Sequence, residues 1–203
     1  MEKTDLIIYK KYLDRLKNER GEKIIKCKVL DNLAGKSPEE LLERAGLLNT
    51  VPIDLRELLK YWNVSALPIN FRKIQKSDEL KDEVREKGNI FGAVAIKNDS
   101  ACIFFRKRDR ENRKRFIIAH ELSHCCIDYD NLNKNGINYR FEKINKEDEH
   151  EIAINTHAGA ILIPEKTLRL IHNQIKCICV LADIFCVSQN VMTERLKVLK
   201  MTY

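Results

Sequence analysis

The segment Arg115-Phe116-Ile117-Ile118-Ala119-His120-Glu121-Leu122-Ser123-His124 constrains this 203-residue chain more than any other. It holds neither Gly nor Pro and is dense in apolar residues, so it predicts a helix running from a cap at Asp109 to about residue 128. On that helix His120 and His124 lie four residues apart and project from one face. Two neutral imidazoles so placed reach one ion, and zinc accepts such donors at ~2.0–2.1 Å. Glu121 sits beside the pair. It is placed to take a proton from a zinc-activated water as that water attacks a peptide carbonyl, which is general-base chemistry. A chance H-E-x-x-H in a chain of this composition has odds on the order of one in a hundred. A helix with two incidental histidines is the bland alternative.

A catalytic zinc needs a third protein ligand and an open position. A third histidine in the extended pattern is excluded, because Ile127 and Asp130 stand where Gly and His would be required. Glu151 is the best remaining candidate, on a second helix expected from about 148 to 162 and ending before Pro164. Asn155 shares its face four residues on and is assigned to hold the outer ring nitrogen of a ligating histidine. Glu147, Glu149, His150 and His157 are rivals for the third position. Acids in a first helical turn, however, need no metal to explain them.

The rest of the chain reads as helices, a small sheet, then helices. Apolar spacing predicts a helix over 5–19. Ser37-Pro38-Glu39-Glu40 announces another, ending at Gly46, and Asp54 caps a third through Trp62. Leu67 to Phe71 reads as a strand and 78–87 as a polar helix. Asn89–Ile96 and Ala101–Arg106 form a hairpin with a turn of about four residues. The Asn-rich stretch 131–146 reads as a loop. Leu181 to Leu199 resembles a helix-turn-helix with its turn at Cys186-Val187-Ser188. A DNA reader would offer Gln189, Asn190, Thr193 and Glu194 to bases. The expected class is α+β, mostly helical, with a small antiparallel sheet and a zincin-like active-site helix. Three parts are expected: a helical extension over 1–50, a metallopeptidase domain over 51–175 and a helical appendage over 176–203.

Composition narrows the function classes. Apolar residues are 44% and charged residues 33%, which is globular, and no apolar run approaches the ~20 residues a bilayer requires. No membrane association and a cytoplasmic location are therefore expected. Seven scattered cysteines without a C-x-x-C pair read as buried, reduced thiols. The net charge of +7 is spread among acids, so a solvated surface is favoured over a nucleic-acid groove.

These motifs resemble the ImmA/IrrE family of metallopeptidases. Its A-H-E-L-x-H pattern matches at Ala119–His124. Its E-x-x-A-N-x-F-A-x-x-L-L-x-P pattern matches at Glu151, Asn155, Ala158, Ile161, Leu162 and Pro164, and the closing helices are similar too. The resemblance spans about 53–200. It implies a zinc site of His120, His124 and Glu151 with Glu121 as base. It also implies cytoplasmic regulatory proteolysis, commonly of helix-turn-helix repressors of phages or mobile elements. Three positions depart from the pattern: Ser123 for Gly, Ile154 for Ala, and His157 for Phe. The last leaves His157 as a candidate oxyanion donor or substrate contact. Asp128 is within reach of the outer nitrogen of His124, although an exposed acid is its expected role. The competing class is a metal-containing regulator that binds DNA or a transcription factor without cleaving it. Glu121 argues against that class, because a purely structural site needs no base beside the ion.

Overall fold

A computed structural model describes residues 28–72, 74–76, 81–97, 100–128, 132, 137–141 and 148–202. The helix expected over 5–19 lies outside them. The described elements run α1 (Lys28–Leu33), α2 (Pro38–Arg44), α3 (Leu55–Tyr61), β1 (Val64–Ile69), α4 (Lys81–Lys87), β2 (Ile90–Lys97) and β3 (Ser100–Arg106). Then come α5 (Glu111–Ile127), β4 (Ile137–Phe141), α6 (Glu149–Leu162), α7 (Glu165–His172), α8 (Ile178–Phe185) and α9 (Gln189–Val198). The class is α+β, as the sequence implies.

Local chemistry explains the early helices. Ser37 and Glu40 form a reciprocal capping box at α2, each bond 3.2 Å, with Pro38 at the first helical position. The Asp54 carboxylate caps α3 by accepting from the backbone N–H groups of Arg56 and Glu57.

The sheet has order β1-β3-β2-β4. β2 pairs antiparallel with β3 and with β4, while β1 runs parallel to β3. The sheet is thus mixed rather than wholly antiparallel. β1 and β3 are separated in sequence by α4 and β2, and that crossover permits a parallel pair. Pro68 sits in β1 at the sheet's edge, where a strand tolerates a missing N–H. Lys97 pairs with Ser100, so the hairpin connection is shorter than four residues. β4 falls within the stretch read as a loop. Its strand character comes from pairing with β2 rather than from its composition.

Both faces of the hairpin are buried. Val94, Ile96 and Ile103 join a helical core that draws on residues from Val29 to Leu196. Ala93, Ala95 and Phe104 turn to a second cluster, against which Val84 of α4 packs. A strand buried on both faces reads as a continuous apolar run, as these do.

α5 crosses beneath this sheet and is buried almost all round from Ile117 to Cys126. Its N-cap is Arg110, not Asp109. Asp109 instead lies 3.6 Å from Arg113 Nε, a one-residue shift at a helix end. Arg115 fixes the helix to its neighbours. Its Nη2 donates to the Ile53 carbonyl at 3.0 Å and its Nε to the Cys186 carbonyl at 3.2 Å. Among the cysteines, Cys102, Cys125 and Cys126 are buried, and burial pushes the Cys102 and Cys126 thiols up to about 12. Cys177 and Cys179 depart from that expectation: both are exposed, with sulfurs 2.7 Å apart at the start of α8.

Candidate metal centre

The histidines of α5 meet α6 at the centre of the fold. Nε2 of His120 and Nε2 of His124 lie 3.1 Å apart. Glu151 of α6 brings Oε2 to 3.7 Å from His120 Nε2 and Oε1 to 3.9 Å from His124 Nε2. These groups lie close enough together to hold a metal ion.

The outer nitrogens decide how the rings are protonated. His120 Nδ1 faces Asn155 Oδ1 at 3.0 Å. His124 Nδ1 faces Asp128 Oδ2 at 3.4 Å. Both partners are oxygen acceptors, so each ring carries its proton on Nδ1 and turns an Nε2 lone pair inward. Glu151 Oε2 is buried there with no hydrogen-bond partner among the described residues. Two lone pairs and a carboxylate thus converge in a largely buried place, a donor set suited to a cation. A tetrahedral ion at ~2.0–2.1 Å from each donor would set the donors about 3.3–3.4 Å apart. The distances of 3.1, 3.7 and 3.9 Å bracket that value. Two imidazoles and one carboxylate also match zinc's preferences.

The electrostatics agree. Burial works against charge on His124. The hydrogen bond to Asp128 and the carboxylates of Glu121, Glu151 and Asp128 outweigh it and raise the pKa. The field that would draw a proton to this ring also favours a metal cation.

Asp128 is a correction to the sequence reading. Far from being an exposed acid, it is buried at the C-terminus of α5. Its position four residues after His124 carries the signal, because that spacing returns it to the same helix face. His150, half-exposed in side chain, lies 3.7 Å from Asp128 Oδ2. Of the other rivals, Glu149 is exposed and Glu147 lies outside the described residues.

His157, the candidate oxyanion donor or substrate contact, has polar neighbours at both ring nitrogens. Its Nε2 donates to the Lys36 carbonyl at 2.9 Å, and its Nδ1 lies 3.0 Å from Ser123 Oγ. Both ring nitrogens are occupied in joining α6 to α5 and to the segment before α2. Burial lowers its pKa, partly offset by the Lys36 carbonyl. The two departures at 123 and 157 thus meet each other. The Ser123 hydroxyl also lies 2.8 Å from the Ala119 carbonyl.

Glu121 is 1% exposed, and the strand above it explains why Gly stands at position 92. A Cβ on Gly92 would lie 2.7 Å from Glu121 Oε1 and 2.7 Å from Ile117 Cγ2. Register shifts between Ile90 and Gly92, so β2 bulges at Phe91 just before passing over Glu121. The guanidinium groups of Arg106 and Arg113 each lie 4.1 Å from the Phe91 ring centre and hold the bulge. A glycine inside a strand pattern is a recognised sign of close backbone approach, and here it marks the site.

Residues 64–197 match the IrrE N-terminal-like domain, Peptidase M78. The chain belongs to that peptidase family. No curated protein and no solved structure matched it. The matched segment of this family member contains α5 and α6 whole, and with them His120, Glu121, His124 and Glu151. Among its described residues no helix is long and apolar enough to cross a membrane.

Proposed function

We propose that this chain is a cytoplasmic zinc-dependent endopeptidase whose substrate is a helix-turn-helix repressor. The observation that carries the hydrolytic reading is the convergence of His120 Nε2, His124 Nε2 and Glu151 Oε2 beside the buried Glu121 carboxylate. Zinc, when bound there, supplies Lewis acidity and a water acidified to a pKa of about 7. Glu121 takes the proton of the attacking water and delivers it to the leaving nitrogen. Asn155 and Asp128 hold the two imidazoles in the tautomer that leaves Nε2 free to ligate. Gly92 lets β2 approach closely enough to keep water from the flank of Glu121. The repressor substrate and the cytoplasmic location follow from the resemblance to ImmA/IrrE peptidases.

The test is incubation of candidate repressors with the wild type and with Glu121→Gln, with products read by intact mass. Cleavage by the wild type and a rate lower by ~10²–10⁴ in the variant are expected. Repressor binding without cleavage by either protein would replace this reading with the metal-containing regulator.

A further inference from the structure

Beside the metal centre, α6 and α9 enclose a cavity of about 470 Å³. Glu151 and Asn155 line it, so it opens directly onto the ligand wall. Its other walls are mainly apolar: Phe116 of α5, Ile152 and Gly159 of α6, and Val191 and Val198 of α9. Ile152 and Val198 are 49% and 51% exposed, large apolar side chains left uncovered around one hollow. The far wall is firmly mounted. Met192 and Leu196 bury the inner face of α9, and Arg195 Nε donates to the Ile163 carbonyl at the end of α6. Arg115 ties the turn before α9 to the catalytic helix through the Cys186 carbonyl. Asn190 and Glu194, two of the residues a DNA reader would offer to bases, line this same cavity.

We propose that this cavity receives the substrate side chain next to the scissile bond, and that α9 is a specificity element for peptides bearing a large apolar residue there. The inference rests on the peptidase reading above. Its occupant follows from position and chemistry. A peptide whose carbonyl lies at the metal centre has its neighbouring side chain within reach of the Glu151–Asn155 wall, and beyond that wall the lining is apolar. The volume lies within the range of small-molecule pockets and exceeds what one aliphatic side chain fills.

The test uses the full zinc-loaded chain and two chelating probes, leucine hydroxamate and glycine hydroxamate, which differ only in the side chain. Leucine hydroxamate is expected to bind roughly tenfold tighter or more by calorimetry. Two variants then probe the wall. Val198→Glu makes an exposed rim polar. Gly159→Leu fills the pocket from a helical position where a Cβ meets nothing within 4 Å. Each should remove the preference for leucine while glycine hydroxamate, having no side chain to lose, reports an intact metal centre. Equal binding of the two probes to the wild type would overturn the pocket and leave the peptidase reading standing. Full leucine preference in both variants would overturn the assignment to this cavity. Failure of both probes to bind would overturn both readings together.

Discussion

Replacing Gly92 with alanine is the sharpest perturbation the structure offers. Gly92 has no positive φ to protect, so alanine would ordinarily stabilise a strand, by ~0.5–1 kcal/mol. Here the added methyl would sit 2.7 Å from both Glu121 Oε1 and Ile117 Cγ2. Ordinary contacts between such atoms are about 3.5–4.0 Å, so roughly an ångström must be found by moving β2, α5 or the carboxylate. Overpacking of that kind costs ~1–3 kcal/mol. Displacing a catalytic group by about 1 Å costs on the order of 10²-fold in rate. The expected phenotype is a lower urea midpoint and a peptidase rate down about a hundredfold, with zinc affinity reduced far less than rate, because the atoms nearest the added methyl belong to Glu121 and Ile117 rather than to His120, His124 or Glu151. Ile117→Ala in the same chain removes one of the two clashes. It should recover more stability than rate, since the Glu121 contact remains. A Gly92→Ala protein with full activity and an unchanged or higher urea midpoint would refute the close approach.

Three other outcomes follow from the site. Asp128→Ala and Asn155→Ala should each weaken zinc binding by ~10–100-fold in a competitive chelator titration, because each removes the acceptor that orients one imidazole. Ser123 and His157 should show a coupling of ~0.5–3 kcal/mol in a double-mutant cycle toward the family residues Gly and Phe, since they touch directly. The pH dependence has a definite sign. Burial holds the His157 pKa below its ordinary value, so the unfolded chain binds the proton first as pH falls. Stability contributed by neutral His157 is complete above about pH 6.5 and is lost as pH drops toward the lower folded value. The stability advantage of wild type over His157→Phe should therefore shrink from pH 7.5 to 5.5 in urea titrations; an advantage that grows would refute this.

Much of this was legible in the chain because periodicity and caps act locally. The spacing of His120, Glu121 and His124 fixes them on one helix, and Asp148 caps α6 by accepting from the His150 N–H, which places Glu151 and Asn155 in register. What escaped depends on tertiary approach. β4 is a strand because β2 offers an edge, and its Asn-rich composition argues otherwise. Asp128 looks like a surface acid until α6 covers it. His157 looks available for chemistry until Lys36 and Ser123, distant in sequence, claim both nitrogens. The mixed sheet likewise depends on β1 choosing β3 as its neighbour, which no local pattern encodes.

The most direct test of the metal-dependent peptidase account is a zinc titration of chelator-stripped protein, followed by the rate of peptide hydrolysis. Negligible hydrolysis without metal and a linear rise that breaks at one zinc per chain are expected. Hydrolysis undiminished by stripping, or full zinc occupancy with no hydrolysis of any peptide or repressor, would contradict it.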